Sequence, residues 1–348
     1  MAQADNKSQV TSHRGEFPVK ELEQRGYPVE MLEGHRWTIM DRDFLHISPK
    51  AIAKILRNDY DVIVIINDGG FLSNLVFELE KRDTTIVYDL GDTLETSRTV
   101  GESPIPHPGY LFSDKLIENS DFVMAPSKTL HNSLLKRNEN TVYNPTPINT
   151  NVFTPPNQDH SEEENNLPVI GWMGDARVHF RNLKIIKGPL LRLAQEHDFK
   201  FKIVNYLGDD RIKSLFSELE DYVLVDYGAD SWRPIEEVVK EMWEFDIAAL
   251  PLDGNDPFMN GKSPMKVTET MATKVPVVAS GYKAYEDVVH HGRNGYLART
   301  EDEWEHYIKK LLYSREDRMN IASNGYQYAI ENHSVERYVD RFVEKILK

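Results

Sequence analysis

The sequence predicts an α/β protein built on doubly wound parallel sheets and divided into two domains. Three observations carry this. Short apolar runs of strand length alternate with amphipathic runs of helix length along most of the chain. A proline-, asparagine- and glutamate-rich stretch with almost no apolar residues, Thr154 to Pro168, interrupts the alternation near the middle. The alternation then restarts with an apolar strand, Val169 to Met173. The expected organisation is a first domain over 1–153, a linker over 154–167, a second domain over 168–333, and a last helix over 334–348 that returns to the first domain. Two open α/β sheets facing each other would make a cleft, and such sheets bind ligands at the carboxyl ends of their strands.

In the first domain, helices are expected over 17–26, 47–57, 71–81 and 111–119, and from a Ser127 cap to Arg137. The intervening strands are 62–66, 85–90, 122–126 and 141–144. Its usual first strand is missing or reduced to a few residues around Met1. The helix over 47–57 carries Lys50, Lys54 and Arg57 on one side and Ile52, Ile55 and Leu56 on another, the pattern of a crossover helix packed on its sheet. The second domain continues with helices over 182–197, 212–220 and 235–243 and strands over 200–205, 222–226 and 246–251. A short helix to Thr273, a buried strand over 275–280, and helices from Glu301, Arg315 and Val335 complete it.

Composition narrows the function. The chain has 348 residues, 40% of them hydrophobic, which is enough for two cores. Its net charge of −15 disfavours general binding to nucleic acid or anionic lipid. It has no cysteine, so disulfides, thiolate catalysis and cysteine-ligated metals are excluded. No apolar run reaches the ~18 residues of a membrane span, and the polar N-terminus has no signal-peptide core. A soluble, cytoplasmic protein is expected. No histidine pair has zinc-ligand spacing on a helix, and neither a metal nor a cofactor is expected.

The chemistry concentrates in two basic junctions. Ser263 is placed to cap a helix and Pro264 to occupy its first position, where a missing N–H costs nothing. Lys262 and Lys266 flank that helix start, whose free N–H groups favour anions, and Pro264 and Met265 lie within it. Glu269 follows Lys266 by three residues on the same face, about one turn or roughly 5 Å along the axis. A cation and a carboxylate so spaced suit the phosphate and a sugar hydroxyl of one nucleotide. Further upstream, Gly174 ends the strand Val169 to Met173 and permits close backbone approach. Arg177, His179 and Arg181 follow it at a helix start, where the dipole disfavours cations unless an anion is bound.

These segments occur in an order that resembles the C-terminal half of the retaining, GT-B-fold glycosyltransferases, which use nucleotide sugars. The matching residues are Lys266 to Ser280 and Gly292 to Leu297, with Phe245 to Pro251 resembling the strand before the site, Val169 to Leu183 the first strand and phosphate loop, and Tyr143 to Phe153 the domain junction. The resemblance implies two Rossmann-like domains and transfer of a sugar to a hydroxyl acceptor with retention of configuration. It assigns Lys266 and Arg181 to the diphosphate, Glu269 to the ribose hydroxyls, and Gly174 to close diphosphate approach; Arg177, Lys262, Ser263, Pro264 and Met265 complete the donor site. The first glutamate of the family's paired-glutamate motif should stand eight residues before Glu269, where this chain has Gly261. A GT-B-fold epimerase or a non-catalytic nucleotide-sugar binder is the alternative. The acceptor is left open: glycan, lipid-linked glycan, small molecule or modified nucleic acid, the last disfavoured by the charge.

In the first domain, Asp89 and Asp92 end a strand and are candidate acceptor or sugar contacts, as is His107 between two prolines. Asp41-Arg42-Asp43 has the D-x-D pattern of a different, metal-dependent glycosyltransferase fold and is read as coincidence.

Overall fold

The computed structural model describes residues 12–32, 34–39, 42–47, 49–66, 71–80, 83–91, 113–156, 167–255 and 261–348. The chain divides into two compact units. One comprises Met1–Pro147, Asn260–Ser263 and Val335–Lys348, the other Ile148–Met259 and Pro264–Ser334. The polypeptide therefore leaves the first unit after Pro147, revisits it at 260–263, and re-enters it at Val335.

In the first unit an antiparallel hairpin, β1 (Gly34–Ile39) and β2 (Arg42–Ile47), precedes a four-stranded parallel sheet. The sheet runs β3 (Val62–Ile66), β4 (Thr85–Asp89), β5 (Phe122–Ala125), β6 (Thr141–Tyr143) in spatial order. Helices α1 (Phe17–Gln24), α2 (Pro49–Ile55), α3 (Phe71–Glu80), α4 (Ser113–Asn119) and α5 (Lys128–Leu134) accompany it. The side-chain alternation of β4 shows why the sheet is buried on both faces. Ile86 and Tyr88 enter one apolar cluster with Phe77 and Leu116, while Val87 enters another with Leu22, Val339 and Phe342. The second cluster is completed by the C-terminal helix, which is why Val335–Lys348 groups with this unit.

The hairpin is absent from the sequence expectation. Trp37, Thr38 and Ile39 in β1 and Phe44 and Ile47 in β2 favour strands, but charged residues interrupt the run and mask it. Consequently the helix expected from Ile47 begins only at Pro49. Asp43 pairs in register with Thr38 within the hairpin, and Asp41 lies outside the described residues.

In the second unit six parallel strands form one sheet: β7 (Val169–Met173), β8 (Lys200–Val204), β9 (Leu224–Asp226), β10 (Ile247–Leu250), β11 (Val277–Ser280) and β12 (Tyr296–Ala298). Their spatial order is β12-β11-β10-β7-β8-β9, so the chain starts in the middle, winds outward, and then reverses. β10 is buried at every position, as expected of a parallel strand covered on both faces. Around the sheet lie α6 (Phe180–Ala194), α7 (Asp210–Phe216), α8 (Ile235–Met242), α9 (Met265–Ala272), α10 (Lys283–Glu286), α11 (Glu301–Tyr313) and α12 (Arg315–His333). α11 starts with a full capping box between Thr300 and Glu303. Most of the linker predicted over 154–167 lies outside the described residues.

Candidate functional site

β7 and β10 are neighbours in space but are separated by β8 and β9 in the chain, so the winding direction changes between them. Open α/β sheets leave a crevice at the carboxyl ends of such strands. The loop leaving β7 begins with Gly174, whose φ of +140° is a conformation that side-chain-bearing residues rarely adopt. A Cβ at Gly174 would fall 2.5 Å from Lys266 Cε and 2.6 Å from its Nζ. The absent side chain is therefore what admits Lys266, which reaches over from the first turn of α9. The same ammonium lies 5.8 Å from the centre of the Trp172 ring, a cation–π distance, at the end of β7.

A hydrogen-bonded chain fixes what Lys266 meets. The backbone N–H of Asp253, just past β10, donates to Asn182 Oδ1 at 2.8 Å. A backbone N–H can only donate, so it orients the amide, and Asn182 Nδ2 faces His179 Nδ1 at 2.6 Å. His179 Nε2 lies 3.1 Å from Lys266 Nζ. Lys266 and His179 thus meet at the reversal point of the sheet. His179 is 4% exposed and edge-on to Trp172, with ring centres 5.9 Å apart, so its ring is held in place.

The other sequence-predicted residues separate into groups. Glu269 is on α9 with Lys266, but it is fully buried. Arg181 is exposed in the first turn of α6, two residues beyond His179. The residue that reaches Lys266 from this helix start is His179, at the N-cap. Arg177 is engaged by Asp175, with its Nε 3.0 Å from Oδ1 and its Nη2 2.8 Å from Oδ2. Burial opposes ionisation of Asp175, but hydrogen bonds and charge from Arg177 outweigh it and hold the carboxyl below its usual range.

At the α9 start, the expected cap is corrected. The helix begins at Met265 with Pro264 in the cap position and no side-chain cap hydrogen bond. Ser263 Oγ donates instead to Thr146 Oγ1 at 2.9 Å, and both Lys262 and Ser263 group with the first unit. Met265 and Lys266 are half-buried.

Asp89 is also corrected. It has no exposure and carries the carboxylate of an internal ion pair with Arg14, so it is closed to an acceptor. Asp92 and His107 lie outside the described residues. His179, Asn182, Trp172 and Asp253 escaped the sequence reading as a set. His179 was visible only as one member of a basic cluster.

A cavity of about 450 Å³ lies elsewhere, lined by residues such as Leu167, Phe199 and Tyr222 near the amino ends of β7 and β8. It holds neither Lys266 nor His179, and the chemistry assigns the site to the opposite strand ends. Among the described residues no cluster of three metal-ligating side chains occurs. No described helix is long and apolar enough to cross a membrane.

Residues 167–316 match the family model of glycosyl transferases group 1. The matched stretch falls almost entirely within the second unit. The fold of the chain resembles sucrose-phosphate synthase from Thermosynechococcus elongatus with a TM-score of 0.64 at 17% identity, over 85% of this chain and 76% of that one. HepE of Anabaena, solved with UDP-glucose, aligns with a TM-score of 0.63 at 19% identity, over 94% of this chain and 88% of that one. A glycosyltransferase from Rickettsia africae gives 0.64 at 15% identity, covering 94% and 86%. The two α/β units, with four and six parallel strands, are thus of the GT-B type. No curated protein matches the chain.

Proposed function

We propose that this protein is a glycosyltransferase that moves a sugar from a nucleoside-diphosphate sugar to a hydroxyl acceptor with retention of configuration. The observation that carries the reading is the Lys266 ammonium held over Gly174 at the sheet's reversal point, 3.1 Å from His179 Nε2. When the bond between sugar and diphosphate breaks, negative charge grows on the leaving phosphate oxygen. Donors already fixed at that oxygen lower the barrier without reorganising. One such donor contributes about 3 kcal/mol, or about two orders of magnitude in rate. The ammonium supplies the charge that a divalent cation supplies elsewhere, so the proposed mechanism needs no metal. Arg181 completes the positive field from the first turn of α6, and Glu269 is assigned the ribose hydroxyls by its place in the motif. UDP is the first donor nucleotide to test, because HepE binds it.

The resemblance to retaining enzymes supports retention of configuration. The acceptor is assigned only as a hydroxyl compound.

Incubation with a panel of nucleoside-diphosphate sugars tests the reading. We expect slow acceptor-independent release of the nucleoside diphosphate from one donor, abolished about 100-fold by Lys266→Ala. An isomerised donor would point to an epimerase, and tight binding without any turnover to a non-catalytic binder, the outcome that Gly261 at the motif's first glutamate position favours.

A further inference from the structure

We propose that the edge strand β9, with the cavity beside it, docks an extended segment of a partner protein rich in lysine or arginine and in aliphatic residues. The surface lies wholly in the second unit, at the strand ends opposite Lys266, and it is independent of the donor reading. The cavity of about 450 Å³ has room for a few side chains. β9 ends the sheet order, so its one strand neighbour among the described residues is β8. Native sheet edges are blunted by lysine, proline or shortness, because an open edge invites a further strand. β9 is short but carries neither lysine nor proline. Instead Leu224 is 60% exposed, and Tyr222, just before the strand, is 50% exposed. Both line the cavity, as do the exposed Leu167 and the buried Phe199 and Val223. Three large apolar side chains held in water around one cavity mark a surface that a partner covers.

Charge selects the occupant. Every charged residue lining the cavity is a carboxylate: Asp198, Glu220 and Asp221. None of the three is in an ion pair among the described residues. Neighbours just outside the cavity are compensated, Asp226 by Lys202 at 3.5 Å and Glu218 by Lys187 at 3.3 Å. The Tyr227 hydroxyl donates to Glu220 and so fixes that carboxylate beside the cavity. A second copy of this chain is a poor occupant, since a two-fold contact would set the same three carboxylates against themselves. A small cation would meet the acids but leave the strand edge, Tyr222 and Leu224 uncovered. An extended basic segment answers all of these features. Its backbone adds to the edge, its aliphatic side chains cover the apolar residues, and its cations meet the acids.

The test titrates a labelled heptapeptide of alternating lysine and valine into the full chain, followed by fluorescence polarisation and amide exchange. A peptide with glutamate in place of lysine and one with central prolines, which cannot add a strand, are the controls. The lysine peptide is expected to bind, more weakly as salt rises, and to slow exchange in β9, while neither control binds. Asp198→Asn and Asp221→Asn are each expected to weaken binding about two- to five-fold. Leu224→Lys, which removes apolar contact and adds a repelling charge, is expected to weaken it at least about ten-fold. All three positions are exposed, and an unchanged thermal midpoint shows that each variant keeps the fold. No binding of the lysine peptide, or binding indifferent to Leu224→Lys, would overturn the proposal. Equal affinity for the proline control would remove strand addition. Self-association of the unliganded chain that Leu224→Lys abolishes would give the edge to a second copy instead.

Discussion

The two sheets end in polar residues at comparable places, and the two ends have opposite characters. At the end of β4, Asp89 meets an arginine and a tyrosine hydroxyl, all inside one unit and all complementary. At the end of β7, Lys266 meets His179 over a glycine that keeps the space open. The first arrangement is complete without any other molecule. The second holds the ammonium to which the proposed diphosphate is assigned. A charged strand end is therefore not by itself a sign of function. What separates the two is exposure: Asp89 and Arg14 have none, whereas Lys266 is half-buried at the reversal point of its sheet.

The comparison is broken most severely by changing Asp89. Asp89→Ala leaves the Arg14 guanidinium buried without its counter-ion and is expected to destabilise the protein by about 3–5 kcal/mol in denaturant unfolding. A loss below ~1 kcal/mol would mean that the pair is not the internal, self-sufficient unit described, and would return Asp89 to the list of acceptor contacts.

A smaller effect sharpens the same side of the comparison. Burial, followed by the charge of Asp89, raises the Tyr338 hydroxyl well above the ordinary tyrosine value, against the opposing influence of Arg14. Burial also raises Tyr285. A raised folded-state value means that the native protein keeps these protons while the unfolded chain releases them. Their contribution to stability is thus fully present below the unfolded tyrosine value of about 10 and is lost as pH rises toward the folded values. In an alkaline absorbance titration of the 16 tyrosines, a late fraction is expected to ionise only together with unfolding. Tyr338→Phe should reduce that fraction. Full titration near pH ~10 with the fold intact would contradict the burial of Tyr338 in the ion-pair cluster.

The α/β class with doubly wound parallel sheets was legible, because strand-length apolar runs such as Val62–Ile66, Val169–Met173 and Ile247–Leu250 need only local pattern. The β1–β2 hairpin was not, since its apolar residues are broken by charges and its pairing is a tertiary fact. At the site, Lys266 and Gly174 stood out through the order of motifs that the family shares. The contact of Lys266 with His179 spans 87 positions and depends on β7 and β10 being neighbours, which no local window reveals. Ser263 shows the reverse error. Its type and spacing are those of a cap, but a tertiary acceptor, Thr146, takes its hydroxyl.

The most direct test of the central claim is a crystal structure of the protein with UDP. The account expects a phosphate oxygen within hydrogen-bonding distance of both Lys266 Nζ and His179 Nε2, close above Gly174. A diphosphate bound elsewhere on the second unit, with Lys266 and His179 still facing each other undisturbed, would contradict it.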